Sequence, residues 1–114
     1  MFLPDGEIHE IGLLYLNYEL VLRGYNTIYL GQSLPLNNLT YFIDSDCTMK
    51  FVCSMTIKPY DDIINDYFSE IDEKLKGTQH KFIGIGNKTA AVDTSQFDSD
   101  IRVYPSVVEL LEVV

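Results

Sequence analysis

The 114-residue chain has two cysteines, and only 8 basic residues stand against 17 acidic ones. Cys47 and Cys53 form no Cys-x-x-Cys pair, and Cys53 lies in the apolar run Phe51-Val52-Cys53, where a reduced, buried thiol is the ordinary state. Neither a disulfide framework nor a cysteine-based zinc centre is expected, and a reducing cytoplasm suits the chain. The formal net charge is −9, and no stretch gathers lysine or arginine on one face. Such a balance repels phosphate backbones, which argues against nucleic-acid binding by this domain itself. No apolar run approaches the ~18 residues of a membrane span, and no secretory signal is read. The triplets Asn38-Leu39-Thr40 and Asn87-Lys88-Thr89 therefore carry no implication of glycosylation. A P-loop and a nucleophile elbow are also missing. Gly84-Ile85-Gly86 has no third glycine and lies away from the first strand–helix turn, which excludes a dinucleotide fingerprint.

What is present is the composition of one globular domain spanning residues 1–114. Apolar content of 46% and charged content of 22% suit an ordinary hydrophobic core. No linker, repeat or low-complexity tract interrupts it. Leu13, Leu14, Leu16, Leu20, Val21 and Leu22 are dense enough to predict a helix buried on most of its surface, stopped near Gly24. Tyr15 and Tyr18 are expected to pack under neighbouring helices. Residues 26–30 read as a short strand, Gly31-Gln32-Ser33-Leu34-Pro35 as a turn, and Pro35 as the start of a second helix running to Ile43.

Residues 49–54 read as a buried strand. A third helix over residues 60–75 carries Ile63, Ile64, Tyr67, Phe68, Ile71 and Leu75 at spacings of three and four, and Gly77 stops it. Its Asp61, Asp62, Asp66, Glu70, Asp72 and Glu73 form a solvated acidic face. Residues 81–85 and 101–104 are further strands, and Ser106 caps a short helix through Leu111. His80, with no cysteine or histidine nearby, is expected at the surface. Alternation of strand and helix predicts an α/β fold, with a parallel sheet covered on both faces. The first strand has only Met1-Phe2-Leu3 before Pro4, about 10 Å of extended chain. So short a strand suggests a domain cut from a longer protein.

The chemistry is concentrated between that strand and the first helix, in Glu7-Ile8-His9-Glu10-Ile11-Gly12. A loop histidine beside a carboxylate can reach a metal while the carboxylate orients its ring. Read as ordinary surface residues, Glu7 and Glu10 would simply favour the positive end of the helix. The spacing resembles the Asp-x-His-x-x-Gly motif of cobalamin-binding domains, with Glu7 in place of the aspartate. The run through Arg23-Gly24-Tyr25 to Tyr29-Leu30-Gly31-Gln32-Ser33-Leu34-Pro35-Leu36 is similar to the cobalamin-binding domain of MerR-type transcriptional regulators.

That resemblance implies a flavodoxin-like, doubly wound sheet of about five strands in the order 2-1-3-4-5. It places ligand at the carboxyl ends of the first and third strands, where the order reverses. It implies that His9 is the lower axial ligand of cobalt, displacing the cofactor's own base, and that Glu7 accepts a hydrogen bond from the other ring nitrogen. Gly12 would let the nucleotide tail pass the first helix. Ser54 would meet the buried base, with Thr56 or Tyr60 a candidate hydroxyl partner, although Ser54-Met55-Thr56 lacks the family's leucine. Gly84 and Gly86 would line the tail, but the family's glycines are adjacent and these are not.

The implied function is a sensory domain and not an enzyme. Adenosylcobalamin or methylcobalamin would control assembly of a homo-oligomeric parent, whose DNA binding resides in a helix-turn-helix segment outside this chain. In related light sensors the cofactor lies between this domain and a four-helix bundle. Two rivals share the fold: a corrinoid carrier module of a methyltransferase or mutase, and a degenerate domain kept for dimerisation.

Overall fold

Three residues at the start of the chain hold the centre of the sheet. In this computed structural model, which describes residues 1–114, β1 (Phe2–Pro4) lies between β2 (Gly31–Leu34) and β3 (Lys50–Ser54). β4 (Lys81–Ile85) and β5 (Asp100–Tyr104) follow, giving five parallel strands in the order β2-β1-β3-β4-β5. This is the flavodoxin-like α/β order that the resemblance implies. Parallel pairing requires crossovers over the sheet faces, and these are α1 (Ile11–Leu22), α2 (Thr40–Ile43, preceded by a 3-10 turn at Leu36–Leu39) and α3 (Ile64–Leu75). Two 3-10 turns, Asn87–Ala91 and Thr94–Gln96, connect β4 to β5, and α4 (Val107–Leu111) closes the chain. No helix is long and apolar enough to cross a membrane.

Because side chains alternate along a strand, the sheet builds two cores. Phe2, Phe51, Cys53, Phe82 and Ile101 face α3, meeting Ile64, Phe68, Ile71 and Leu75. Leu3, Val52 and Ile85 face the other way, onto Leu13 and Leu16 of α1 and Leu110 and Leu111 of α4. Phe68 is fully buried and meets Phe82 edge-on with ring centroids 5.6 Å apart. Cys53 is buried and unpaired, as expected, and burial pushes its thiol up, out of the reactive range.

Three expectations are corrected. α1 buries only Leu13 and Leu16; Leu14, Tyr15, Tyr18, Val21 and Leu22 are exposed. A crossover helix touches the sheet along one stripe, and its neighbour α4 has only five residues, too few to cover the rest. Residues 26–30 are not a strand, and β2 instead occupies the expected turn at Gly31–Leu34. Phe2 pairs with Gly31, and in the stretch before it only Ile28 and Leu30 make backbone bonds, both to Met1. His80 is buried, not superficial. Its Nδ1 accepts from the Met49 N–H at 3.0 Å, so Nε2 carries the proton and donates to the Ile43 carbonyl at 2.7 Å. The ring joins the end of α2 to the start of β3, a long-range link that local patterning does not reveal.

Other boundaries agree closely. α3 starts at Ile64, four residues inside the expected span, and Gly77 follows it with a positive φ of 77°. Ser106 caps α4 by accepting from the Glu109 N–H at 3.4 Å.

Gly84 shows how tightly α3 lies on the sheet: a Cβ there would stand 2.9 Å from Phe68 Cζ. Gly84→Ala should cost about 1–3 kcal/mol in urea unfolding through overpacking, and Phe68→Leu in the same chain should recover part of that loss. Additive losses in the double variant would show that the two side chains do not compete for one space.

Candidate functional site

The loops after β1 and β3 meet at the carboxyl end of the sheet, and one side chain ties them together. Glu7 is 1% exposed. Its Oε1 accepts from the N–H groups of Thr56 (3.0 Å), Ile57 and Lys58 (3.0 Å), three successive donors in the loop leaving β3. Its Oε2 accepts from the N–H groups of Ile8 (3.0 Å) and His9 (3.3 Å) and contacts His9 Nδ1 at 2.8 Å. Its backbone joins in: the Glu7 N–H donates to Pro4, and its carbonyl accepts from the Ser33 N–H at the end of β2. Ser33 adopts a positive φ of 52°, and its Oγ accepts from the Gly6 N–H at 3.1 Å. Loops from three neighbouring strands are thus held by one carboxylate and one serine.

Burial pushes the Glu7 carboxyl up, but the donors from Ile57, His9 and Lys58 outweigh it and hold its pKa down to about 2. The group is therefore an anion at neutral pH and fixes the His9 ring from the Nδ1 side. A carboxylate only accepts, so Nδ1 carries the proton that it receives. In neutral His9 the lone pair is then on Nε2. The ring itself stands out from the loop, with its side chain 53% exposed.

No group of three or more His, Cys, Asp or Glu side chains converges as a metal centre. A single imidazole can serve a metal here only if the remaining coordination positions arrive with the ligand. Such a ligand would meet the remaining motif residues unequally. Gly12, in the first turn of α1, is exposed, and a Cβ there would meet only Val107 Cγ2 at 3.9 Å, so the chain's own packing does not demand glycine. Gly84 and Gly86 are demanded by packing. Phe68 claims the first; a Cβ on Gly86, at a φ of 135°, would collide with the Met55 carbonyl oxygen. Those two glycines are accounted for without a ligand.

Ser54 ends β3, buried at 8% exposure, beside Ile85 of β4. Thr56 is exposed and engages Glu7 through its backbone. Tyr60 lies under Lys58, whose Nζ is 3.7 Å from the ring centroid. Glu10 occupies the N-cap of α1 but does not cap it; its Oε2 accepts from the Tyr29 hydroxyl at 2.7 Å. The sequence motif thus brings Glu7 and His9 together at the β1–β3 switch point, with Gly12 one helical turn on. It does not foresee the three N–H groups of residues 56–58 or the part played by Ser33. Backbone donors carry no side-chain signature, and Ser33 shows only as a polar residue between Gly31 and Pro35.

Because folding lowers the Glu7 pKa from 4.5 to about 2, its contribution is full above pH 4.5 and is lost as pH falls through about 2. Glu7→Gln should therefore lose roughly 3 kcal/mol of stability at pH 7 and flatten the acid limb of the stability curve. Denaturant unfolding at pH 7, 4 and 3 measures both, and an unchanged acid limb would place that titration elsewhere. No protein-family model and no curated protein matches the chain, so the site stands on its geometry alone.

Proposed function

We propose that the chain is a cobalamin-binding sensory domain, with His9 as the axial ligand of cobalt and Glu7 as the residue that positions its ring. The observation that carries this reading is the 2.8 Å contact between Glu7 Oε2 and His9 Nδ1. It directs the donor nitrogen outward at the switch point of a 2-1-3-4-5 sheet, where ligands of such folds sit. A lone imidazole suits a metal whose equatorial positions a macrocycle already fills. Cobalamin would supply that metal, and this chain's residues would supply one nitrogen and its orientation. Gly12 supports the same reading, since an unneeded glycine in a first helical turn leaves room for a ligand to approach the helix.

The regulatory part of the proposal rests on α1. Ile8, Ile11, Leu14, Tyr15 and Tyr18 are exposed on the loop that carries His9 and on the helix after it. An apolar surface of this kind, beside a ligand nitrogen, suits a face that is covered on assembly. Cobalamin would then favour one arrangement of a MerR-type regulator whose DNA-binding segment lies outside this chain. The net charge of −9 supports leaving DNA contact to that other segment. The same exposed face, with Gly84 and Gly86 accounted for by packing, favours a second reading in which the fold is retained for association without cofactor.

Titration with hydroxocobalamin, followed by its visible spectrum, separates the two. Ligand binding predicts a spectrum with histidine in place of the cofactor's own base, lost or shifted in His9→Ala. Gly12→Ala adds a readout that folding defects do not imitate. It should raise the stability of the free chain by on the order of 0.5 kcal/mol, since glycine disfavours helix, while weakening cobalamin uptake. Absence of uptake by the chain and by its parent protein leaves the association reading.

A further inference from the structure

α1 is apolar on two faces. One of them, Leu13, Leu16 and Leu20, is taken by the sheet and α4. The opposite face holds Ile11, Leu14, Tyr15, Tyr18, Val21 and Leu22, and all six are exposed, Ile11 at 85% and Tyr18 at 61%. Ile11, Leu14, Tyr18 and Val21 follow one another at spacings of three, four and three, the pattern of a helix–helix seam, with Tyr15 and Leu22 alongside. A helix that is apolar all round is ordinarily a buried one. α3, on the other face of the sheet, shows the contrast: it buries one stripe and turns Asp66, Glu70 and Glu73 to solvent.

We infer that this stripe pairs with the same stripe of a second copy of the chain, the two α1 helices running antiparallel about a two-fold axis near Tyr18. This pairing deepens the assembly half of the function proposed above and rests on it, though it needs no cofactor. A second copy fits in area, in charge and in helix direction. The six side chains expose roughly 750 Å² together, close to the ~800 Å² that each partner brings to a standard interface. A net charge of −9 would ordinarily keep copies apart. Much of it, however, lies in and just before α3, across the sheet from α1. Within α1 Glu19 is the one charged residue, and Arg23 at the C-cap stands 4.0 Å from it. Antiparallel pairing sets the Glu10 end of each helix beside the Arg23 end of its partner and opposes the helix dipoles, whereas parallel pairing would bring like ends together. It also leaves the two His9 rings at opposite ends of the dimer, each open to ligand.

Sedimentation equilibrium of the full, cobalamin-free chain across micromolar concentrations should show a concentration-dependent dimer. Tyr18→Lys, which sets two like charges against each other at the axis, should weaken it about a hundredfold, whereas Asp66→Lys on α3 should not weaken it. Cross-linking reads the direction of the helices. With the exposed Cys47 removed as Cys47→Ser, oxidation should join Tyr18→Cys chains through a disulfide but not Ile11→Cys chains. Seven residues of helix on each side of the axis part the two copies of position 11 by about 21 Å. A monomer at every concentration, or a dimer that Tyr18→Lys leaves intact, would overturn the inference. So would cross-linking at Ile11, which requires a parallel pair. A monomeric chain would leave the His9 reading standing, because the cobalamin titration reads that separately.

Discussion

A single buried carboxylate organises the functional end of this domain. Burying an ion costs several kcal/mol unless its lone pairs are filled, and Glu7 fills them with five backbone N–H groups and one imidazole. Hydrogen bonds to charged groups contribute about 1.5–3 kcal/mol each, enough to turn the burial from a liability into a clamp. The clamp joins the loops after β1 and β3, and Ser33 brings in the end of β2. The length of the glutamate side chain lets Oε1 reach residues 56–58 while Oε2 stays with His9. Orientation of the histidine and closure of the switch point are thus one network.

At the carboxyl end of the sheet, every donor facing Glu7 is engaged and the loops are mutually bonded. The exposed apolar face of α1 extends from the loop carrying His9 toward Leu22.

How much of this was legible in the chain follows from the range of each interaction. Locally encoded features came through: Gly24 and Gly77 as stops, Ser106 as a cap, and the spacing of Ile64, Phe68, Ile71 and Leu75 that seats α3. The parallel α/β class was legible in the alternation of strand and helix, whereas the strand order came only from the resemblance. Features set by distant partners did not come through. Residues 26–30 have strand chemistry but make backbone bonds only through Ile28 and Leu30, both to Met1, and the burial of α1 depends on how little of it α4 covers. His80 looks superficial until Met49 and Ile43 close around it. At the site, Glu7, His9 and Gly12 were visible as a motif, whereas Gly84 and Gly86 proved to answer to Phe68 and Met55.

The central claim is that Glu7 holds His9 with its donor nitrogen outward, and the ring's tautomer tests it directly. Nitrogen-15 NMR of the imidazole at a pH where His9 is neutral distinguishes a protonated Nδ1 from a protonated Nε2. The account predicts the Nδ1–H form in the wild-type chain and loss of that preference in Glu7→Gln. A wild-type ring carrying its proton on Nε2, or exchanging freely between the two forms, would contradict it.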